Sequence, residues 1–297
     1  MELIKITNNE GFELEVCSVG LAIKSVTLPW NNSPIIGYNT IDDYKINPNY
    51  HGCIVGRITN RINKGKLNID NNSFQLDINH GQHHLHGGNN GLHLANWELT
   101  QEENSVIGKY TSKSGESGYP GEIEITTTIT LENNKVIINY QATCDTKTPL
   151  SLTQHPYFSF GNDFSNVEMN IFAQKYVETT NELIATGKLL TFENFNLDLG
   201  IDTCFVTENE QDNIQLNATI LDKESKTKLN ILSDYPAFQV YTSTNKLANV
   251  SAPIDNVCIC VEPQFVTGFT EFENVKGFFF DEKNEYNQTI VYEFLRE

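Results

Sequence analysis

Two ionisable residues stand where a lone charge would be costly. His155 lies in Leu150-Ser151-Leu152-Thr153-Gln154-His155-Pro156-Tyr157-Phe158, and Glu262 closes Val257-Cys258-Ile259-Cys260-Val261-Glu262 before Pro263-Gln264. Each ends a run that otherwise reads as buried strand, where an unpaired ion costs on the order of several kcal/mol. An imidazole and a carboxylate supply one proton donor and one acceptor, the minimum equipment for reversible acid/base chemistry at one carbon. At neutral pH a free Glu is ionised and a free His only partly protonated, so proximity to Glu262 is expected to raise the pKa of His155. On that allocation a bell-shaped rate profile takes its acidic limb from Glu262 and its basic limb from His155.

Other polar groups offer contacts rather than proton transfer. His80, His83, His84 and His86 fall within seven residues, and Leu85-His86-Gly87-Gly88 leads into a Gly/Asn-rich turn. A metal site is one reading, but no carboxylate or cysteine sits at ligand spacing and the segment reads as a loop. The rival reading has one histidine, held by the Gly turn, donating hydrogen bonds to a polar ligand while the others are solvated. Asn60-Arg61, within Gly56 to Gly65, present several donors suited to hydroxyl groups; Arg61 fits a surface salt bridge equally well. Asp202 is an acid beside an apolar stretch, suited to a ligand contact or a turn cap. Gln239 alternates with Phe238 and Val240, as an outward strand amide would. No nucleophile elbow and no phosphate-cradling glycine loop occurs.

The elements that must position these groups are strands. Period-two alternation marks Phe12 to Val16, Lys66 to Ile69, Ser73 to Ile78, Glu122 to Leu131, Lys135 to Ala142, Asn213 to Leu221, Lys228 to Leu232, Phe238 to Thr242 and Thr289 to Phe294. Asn133-Asn134 joins two of these runs as a hairpin. No long stretch has the spacing of an amphipathic helix, and no linker, low-complexity tract or repeat marks a boundary. The expectation is an all-β chain forming one large antiparallel β-sandwich domain over residues 1–297.

Composition narrows the partners. The formal net charge is −18, which repels a phosphate backbone or an anionic membrane surface. No window approaches the roughly 18 apolar residues of a membrane span, and Met1 to Thr7 enters strand-like alternation with no secretion signal. The six cysteines, Cys17, Cys53, Cys144, Cys204, Cys258 and Cys260, are scattered through apolar runs without a C-x-x-C pair, as buried thiols of a reducing compartment would be. A cytoplasmic protein is expected, with neither nucleic acid nor membrane as partner.

Taken in order, several segments resemble the galactose mutarotase (aldose 1-epimerase) family. They are Gly37-Tyr38 to Tyr44, Gly56 to Ile62, Leu85 to Gly88 with Trp97, Gly118 to Gly121, His155 to Phe158, Thr186-Gly187, Ile201 to Phe205, Phe238 to Thr242 and Cys260 to Gln264. Asn-Arg, Leu-His-Gly-Gly, His-x-Tyr-Phe and Glu-Pro-Gln in one order are specific in combination. The resemblance implies a mutarotase-like β-sandwich with a monosaccharide in an open cleft, and interconversion of α and β anomers without cofactor; no metal is expected, because the His80 to His86 cluster lacks a mixed ligand set and this chemistry uses no Lewis acid. It places Asn60 and Arg61 on sugar hydroxyls and His86 near the ring oxygen or C1 hydroxyl. It makes His155 the general acid, Glu262 the general base, Asp202 a ligand to distal hydroxyls and Gln239 a possible second contact. The alternatives are a hexose-6-phosphate epimerase, which wants a cluster of cations, and a noncatalytic sugar-binding protein of the same fold. The oligomeric state is not legible.

Overall fold

The computed structural model describes residues 1–159, 161, 163–197, 200–207, 213–243, 249–251, 257–272 and 279–297. Among these, regular structure is strand, interrupted by short 3-10 turns such as Ile41–Lys45 and Leu92–Leu94. Among the described residues no helix is long and apolar enough to cross a membrane.

Two antiparallel sheets form the layers. The larger has eight strands in the spatial order Val167–Ile171, Gln215–Asp222, Thr227–Ser233, Tyr286–Arg296, Lys135–Cys144, Ile123–Glu132, Ser105–Ser112 and Glu98–Glu102. The smaller has six, in the order Phe158–Ser159, Cys258–Gln264, Ala237–Ser243, Asp202–Val206, Lys175–Thr179 and Ala185–Thr191. The expected hairpin is present, with Leu131 opposite Val136 and Glu132 opposite Lys135 across Asn133-Asn134. Asn133 takes the turn's left-handed position at φ 51°, which Asn tolerates better than most residues.

Alternation decides which faces meet. In the larger sheet Ile125, Ile129, Leu131, Val136, Ile138 and Tyr140 turn inward while their neighbours face outward. They join Phe205, Phe238, Val240, Val261 and Ile259 of the smaller sheet in one continuous core. Each such side chain contributes roughly 1.5–3 kcal/mol when fully buried. The central strands of the smaller sheet are buried on both faces, all seven residues of Cys258–Gln264 included. Their outer face is covered by Tyr38, Tyr44, Val55 and Tyr157, which pack on Cys258 and Cys260. All six cysteines are buried and free of disulfides, as core packing predicts.

Two local expectations need correction. The run that His155 ends is regular strand only at Thr153–Gln154, and beyond His155-Pro156-Tyr157 the two-residue strand Phe158–Ser159 follows. Pro156 lacks an N–H and cannot continue a ladder. Glu262 does not close its strand but lies inside Cys258–Gln264, where Pro263 is tolerated opposite Phe238.

Arg57 fixes a long turn against this frame. Its guanidinium is buried and donates to Ser112 Oγ (2.9 Å from Nε), Pro120 O (2.9 Å), Gly121 O (2.8 Å), Ser112 O (3.0 Å) and Lys113 O (2.8 Å). The guanidinium carbon also lies 5.7 Å from the centre of the Tyr119 ring. Hydrogen bonds involving a charged group contribute roughly 1.5–3 kcal/mol each, and acceptors left unpaired in the interior are penalised further. Arg57→Ala is therefore expected to lower the unfolding free energy by about 3 kcal/mol in urea denaturation. A change under about 0.5 kcal/mol, the range of ordinary surface substitutions, would show that the clamp does not hold the turn.

Candidate active site

Strand register assembles one side of the site. Gln239 pairs with Glu262, Asp202 with Tyr241 and Cys204 with Gln239. Side chains alternate, so Asp202, Gln239 and Glu262 share the outer face of the smaller sheet while Val240 and Val261 face the core. Above that face opens a cavity of about 320 Å³ whose lining includes Asn60, Arg61, His86, His155, Asp202, Gln239 and Glu262. Each of the seven residues singled out from the sequence borders it.

His155 arrives from the opposite wall. Its N–H donates to Cys53 O and its carbonyl accepts from the Gly52 N–H, both at 2.9 Å, continuing the pairing of Thr153–Gln154 with Ile54–Val55. Tyr157 stacks on its ring at 5.2 Å and 26°, and Tyr50 lies at 5.9 Å and 30° on another side. His155 Nε2 stands 3.4 Å from Glu262 Oε1, with the two side chains 6% and 2% exposed. His155 Nδ1 and Glu262 Oε2 are buried without a hydrogen-bond partner among the described residues.

The third wall is a short ribbon in which Arg61 pairs with Leu85 and Ile62 with His84. Asn60 and His86 flank it, both in left-handed backbone conformations at φ 68° and 48°. They exchange two hydrogen bonds: the His86 N–H donates to Asn60 O at 3.2 Å, and the Asn60 N–H donates to His86 Nδ1 at 3.2 Å. Gly87 makes this approach possible. At φ 90° an added Cβ would sit 1.7 Å from Gly56 O, a position no other residue can occupy.

A closed ring of polar contacts joins the ribbon to the sheet. Asn60 Nδ2 donates to Gln239 Oε1 at 2.9 Å, and Gln239 Nε2 donates to Asp202 Oδ1 at 2.5 Å. Asp202 Oδ2 lies 3.7 Å from Arg61 Nη2, and Arg61 donates back to Asn60 Oδ1 through its backbone N–H at 2.9 Å and Nη1 at 3.3 Å. Gln239, on the outer face of its sheet, is thus a buried amide inside the cleft rather than a solvated one. Asp202 is no turn cap, because it faces the cleft from the first position of its strand. Arg61 is half-buried in an ion pair inside the cleft, not on the outer surface.

Burial governs the protonation of the central pair. It pushes the Glu262 carboxyl well above the usual carboxylate range, with Asp202 adding to the rise and Arg61 opposing it. It pushes His155 down to about 3, the reverse of the rise expected from its proximity to Glu262. The reason is that desolvation penalises an isolated charge on either partner more than one neighbour repays. Both directions favour the neutral allocation, protonated carboxyl and neutral imidazole, over the ion pair while the cleft is empty. Asp202 is also raised by burial, offset by Arg61 and the Gln239 hydrogen bond.

The histidine cluster divides differently from the sequence expectation. His80 is exposed and borders the cleft, but His83 and His84 are buried rather than solvated. His84 is committed on both nitrogens, to Asp77 O at 2.8 Å and the Tyr119 hydroxyl at 2.6 Å. His83 Nδ1 accepts from the Lys64 N–H at 3.2 Å, and its Nε2 lies 3.5 Å from Glu182. A different trio, His86, His155 and Glu262, brings one donor atom each within 4.8 Å of one another.

Several cleft residues had not been singled out. Tyr50, Tyr157 and Tyr241 line it, and Tyr50 touches the rings of His86 and His93 at 4.8 and 4.7 Å as well as that of His155. Pro48-Asn49-Tyr50 carries no periodicity, and an aromatic in a polar loop gives no sign of what it faces. Arg57, by contrast, is spent on the 112–121 turn and does not border the cavity.

The sequence model of a family described as aldose 1-epimerase matches residues 2–293. Rat galactose mutarotase is 34% identical over 169 residues, 56% of this chain and 49% of the relative, so the chain spans about half the length of the mammalian relatives it matches. Aldose 1-epimerase of Haemophilus influenzae is 30% identical over 210 residues, 67% of this chain and 61% of the relative. Among solved structures, a GalM/aldose epimerase homologue from C. elegans superposes with a TM-score of 0.90 at 25% identity, covering 99% of each chain. Galactose 1-epimerase from Lactobacillus acidophilus shares the fold, with a TM-score of 0.84 at 21% identity over 99% of this chain and 94% of that one. With a match running through almost its whole length, the chain belongs to the aldose 1-epimerase family.

Proposed function

We propose that this protein interconverts the α and β anomers of a free aldohexose such as galactose or glucose by acid/base ring opening and reclosure, without a cofactor. The observation that carries the reading is the His155–Glu262 contact, 3.4 Å across a buried cleft otherwise lined by hydroxyl-binding groups. A noncatalytic sugar-binding protein would have no use for a desolvated acid/base pair, which costs stability.

In this reading the C1 hydroxyl donates to Glu262 and the ring oxygen accepts from His155. Those two contacts favour the ionised allocation of the pair, carboxylate and imidazolium, over the neutral one. Ring opening then moves the C1 hydroxyl proton to Glu262 as His155 protonates the ring oxygen. The open aldehyde faces a neutral carboxyl and a neutral imidazole, the allocation that burial favours. After C1 turns, the ring hydroxyl returns its proton to His155, Glu262 reprotonates the carbonyl oxygen, and the ring closes on the other face. Atoms and charge balance within the cleft. Asn60, Arg61, Asp202 and Gln239 hold the remaining hydroxyls, His86 sits at the reacting end near the ring oxygen or C1 hydroxyl, and proximity makes each transfer effectively intramolecular.

The preferred substrate is the neutral sugar rather than its 6-phosphate. Arg61 is the one lysine or arginine among the described residues lining the cleft, and Asp202 already engages it. A dianionic ester would meet Asp202, Glu262 and a formal net charge of −18. Phosphate sites ordinarily present a cation cluster or the amides of a helix start.

Three outcomes are expected. Glu262→Gln and His155→Asn should each slow polarimetric mutarotation of fresh α-galactose by roughly 10²–10⁴-fold with little change in circular dichroism; near wild-type activity in either variant would exclude that residue from the proton path. The profile of kcat/KM against pH should show no acidic limb in the ordinary histidine range. Activity requires one proton on the pair, so its acidic limb, where a second proton reaches His155, is displaced downward towards about 3. Its basic limb, where the shared proton is lost, follows the raised Glu262. An acidic limb centred near 6.5 would contradict this. Finally, galactose or glucose should show a higher kcat/KM than glucose 6-phosphate at one fixed salt concentration, and the opposite order would select the phosphate-ester reading.

A further inference from the structure

His86 has its ring proton assigned by the backbone. Its Nδ1 accepts the Asn60 main-chain N–H at 3.2 Å, with both residues buried. An amide nitrogen only donates, so a proton on Nδ1 would set two hydrogens against each other. The neutral ring carries a single N–H, and it therefore resides on Nε2. The amide cannot turn away. The His86 N–H is returned to Asn60 O, Arg61 and Leu85 pair in the adjoining ribbon, and Gly87 lies against the Gly56 carbonyl. Burial, together with His155 and Arg61, holds the ring well below the usual histidine range, so a second proton is disfavoured as well.

We infer that His86 is a fixed, non-titrating hydrogen-bond donor: the Asn60 main-chain amide, acting as the positioning group, commits Nε2–H to the cleft beside the His155–Glu262 pair. The two imidazoles then divide the labour. His155, whose Nδ1 has no hydrogen-bond partner among the described residues, exchanges protons; His86 donates a hydrogen bond to a substrate oxygen at the reacting end and never acts as a base. What the donor meets rests on the sugar reading above, but the tautomer does not.

The same commitment decides the metal question for the trio of His86, His155 and Glu262. Two imidazoles and a carboxylate have the composition of a zinc or iron centre. Metal at Nδ1 of His86 would displace the Asn60 amide. Metal at Nε2 would drive the proton onto Nδ1, against that amide. The trio is therefore closed to divalent metal in spite of its composition.

The structure supplies an internal control. His84 Nδ1 faces the Asp77 carbonyl and its Nε2 faces the Tyr119 hydroxyl, which fixes the opposite tautomer two residues away. Long-range ¹H–¹⁵N correlation of the sugar-free protein, with His86 assigned by the signal lost in His86→Gln, should show Nε2 protonated and Nδ1 bare from pH 5 to 8, and His84 the reverse. A proton on Nδ1 of His86, or a titration within that range, would overturn the inference. Calorimetric titration with zinc chloride should show no binding that His86→Gln removes; such binding would overturn it too. Adding galactose separates this proposal from the sugar reading. A shift at His86 Nε2–H supports the donor role, and shifts confined to other cleft residues refute it. If the cleft residues stay unshifted throughout, the sugar reading fails, and the donor role to a sugar fails with it, while a fixed Nε2–H tautomer stands.

Discussion

Everything in the site depends on two groups that water would separate being held 3.4 Å apart where water is scarce. His155 and Glu262 come from opposite walls, and neither has a full set of partners among the described residues: one ring nitrogen and one carboxylate oxygen remain unpaired there. Such an arrangement is unfavourable alone and persists because the surroundings are overdetermined. The smaller sheet fixes Glu262 by register on both sides of the strand centre. Tyr50 and Tyr157 hold the His155 ring from its flanks, and its backbone is bonded to Gly52 and Cys53. The proton balance that follows is the basis of the proposed chemistry, because a pair sharing one proton can deliver it to either of two oxygens without exchange with solvent.

The second constraint is charge. Asp202, Glu262 and Arg61 share one small cleft, and burial penalises both acids. The ring through Asn60, Gln239, Asp202 and Arg61 separates the tasks. Arg61 neutralises Asp202 at the distal end, so the carboxyl of Glu262 is left to the imidazole. Gln239 is the link that makes this possible: its amide has one polar end for Asn60 and one for Asp202, and a residue with donors alone or acceptors alone could not close the ring.

Much of the architecture was legible because alternation and turn chemistry are local. The Lys66–Ile69 strand, the Asn133-Asn134 hairpin and the strand around Gln239 emerge from period-two patterning alone. The gathering of the site was not local. Asn60, His86, His155, Asp202, Gln239 and Glu262 span two hundred positions, and only the order of whole motifs joined them. Side-chain surroundings were also hidden: Gln239 could be read as an outward strand amide and Asp202 as a turn cap, and the register across three strands sets both in the cleft beside Glu262. The protonation of His155 was misjudged because spacing reports a neighbour but not its desolvation. Tyr50 meets the rings of His86, His93 and His155 through the fold, and the opposed tautomers of His84 and His86 depend on the Asp77 carbonyl, the Tyr119 hydroxyl and the Asn60 amide, to which the histidines' own residue types give no clue.

The central claim is that one proton resides on a desolvated carboxyl–imidazole pair and moves when substrate arrives. Carbon-13 NMR of the Glu262 side-chain carboxyl, in protein labelled at glutamate and assigned by the signal missing in Glu262→Gln, observes this directly. In the empty cleft at pH 7 the account predicts a protonated-carboxyl shift, moving towards carboxylate as galactose saturates the site. A carboxylate shift in the empty protein from pH 5 upward, unchanged by galactose, would contradict it.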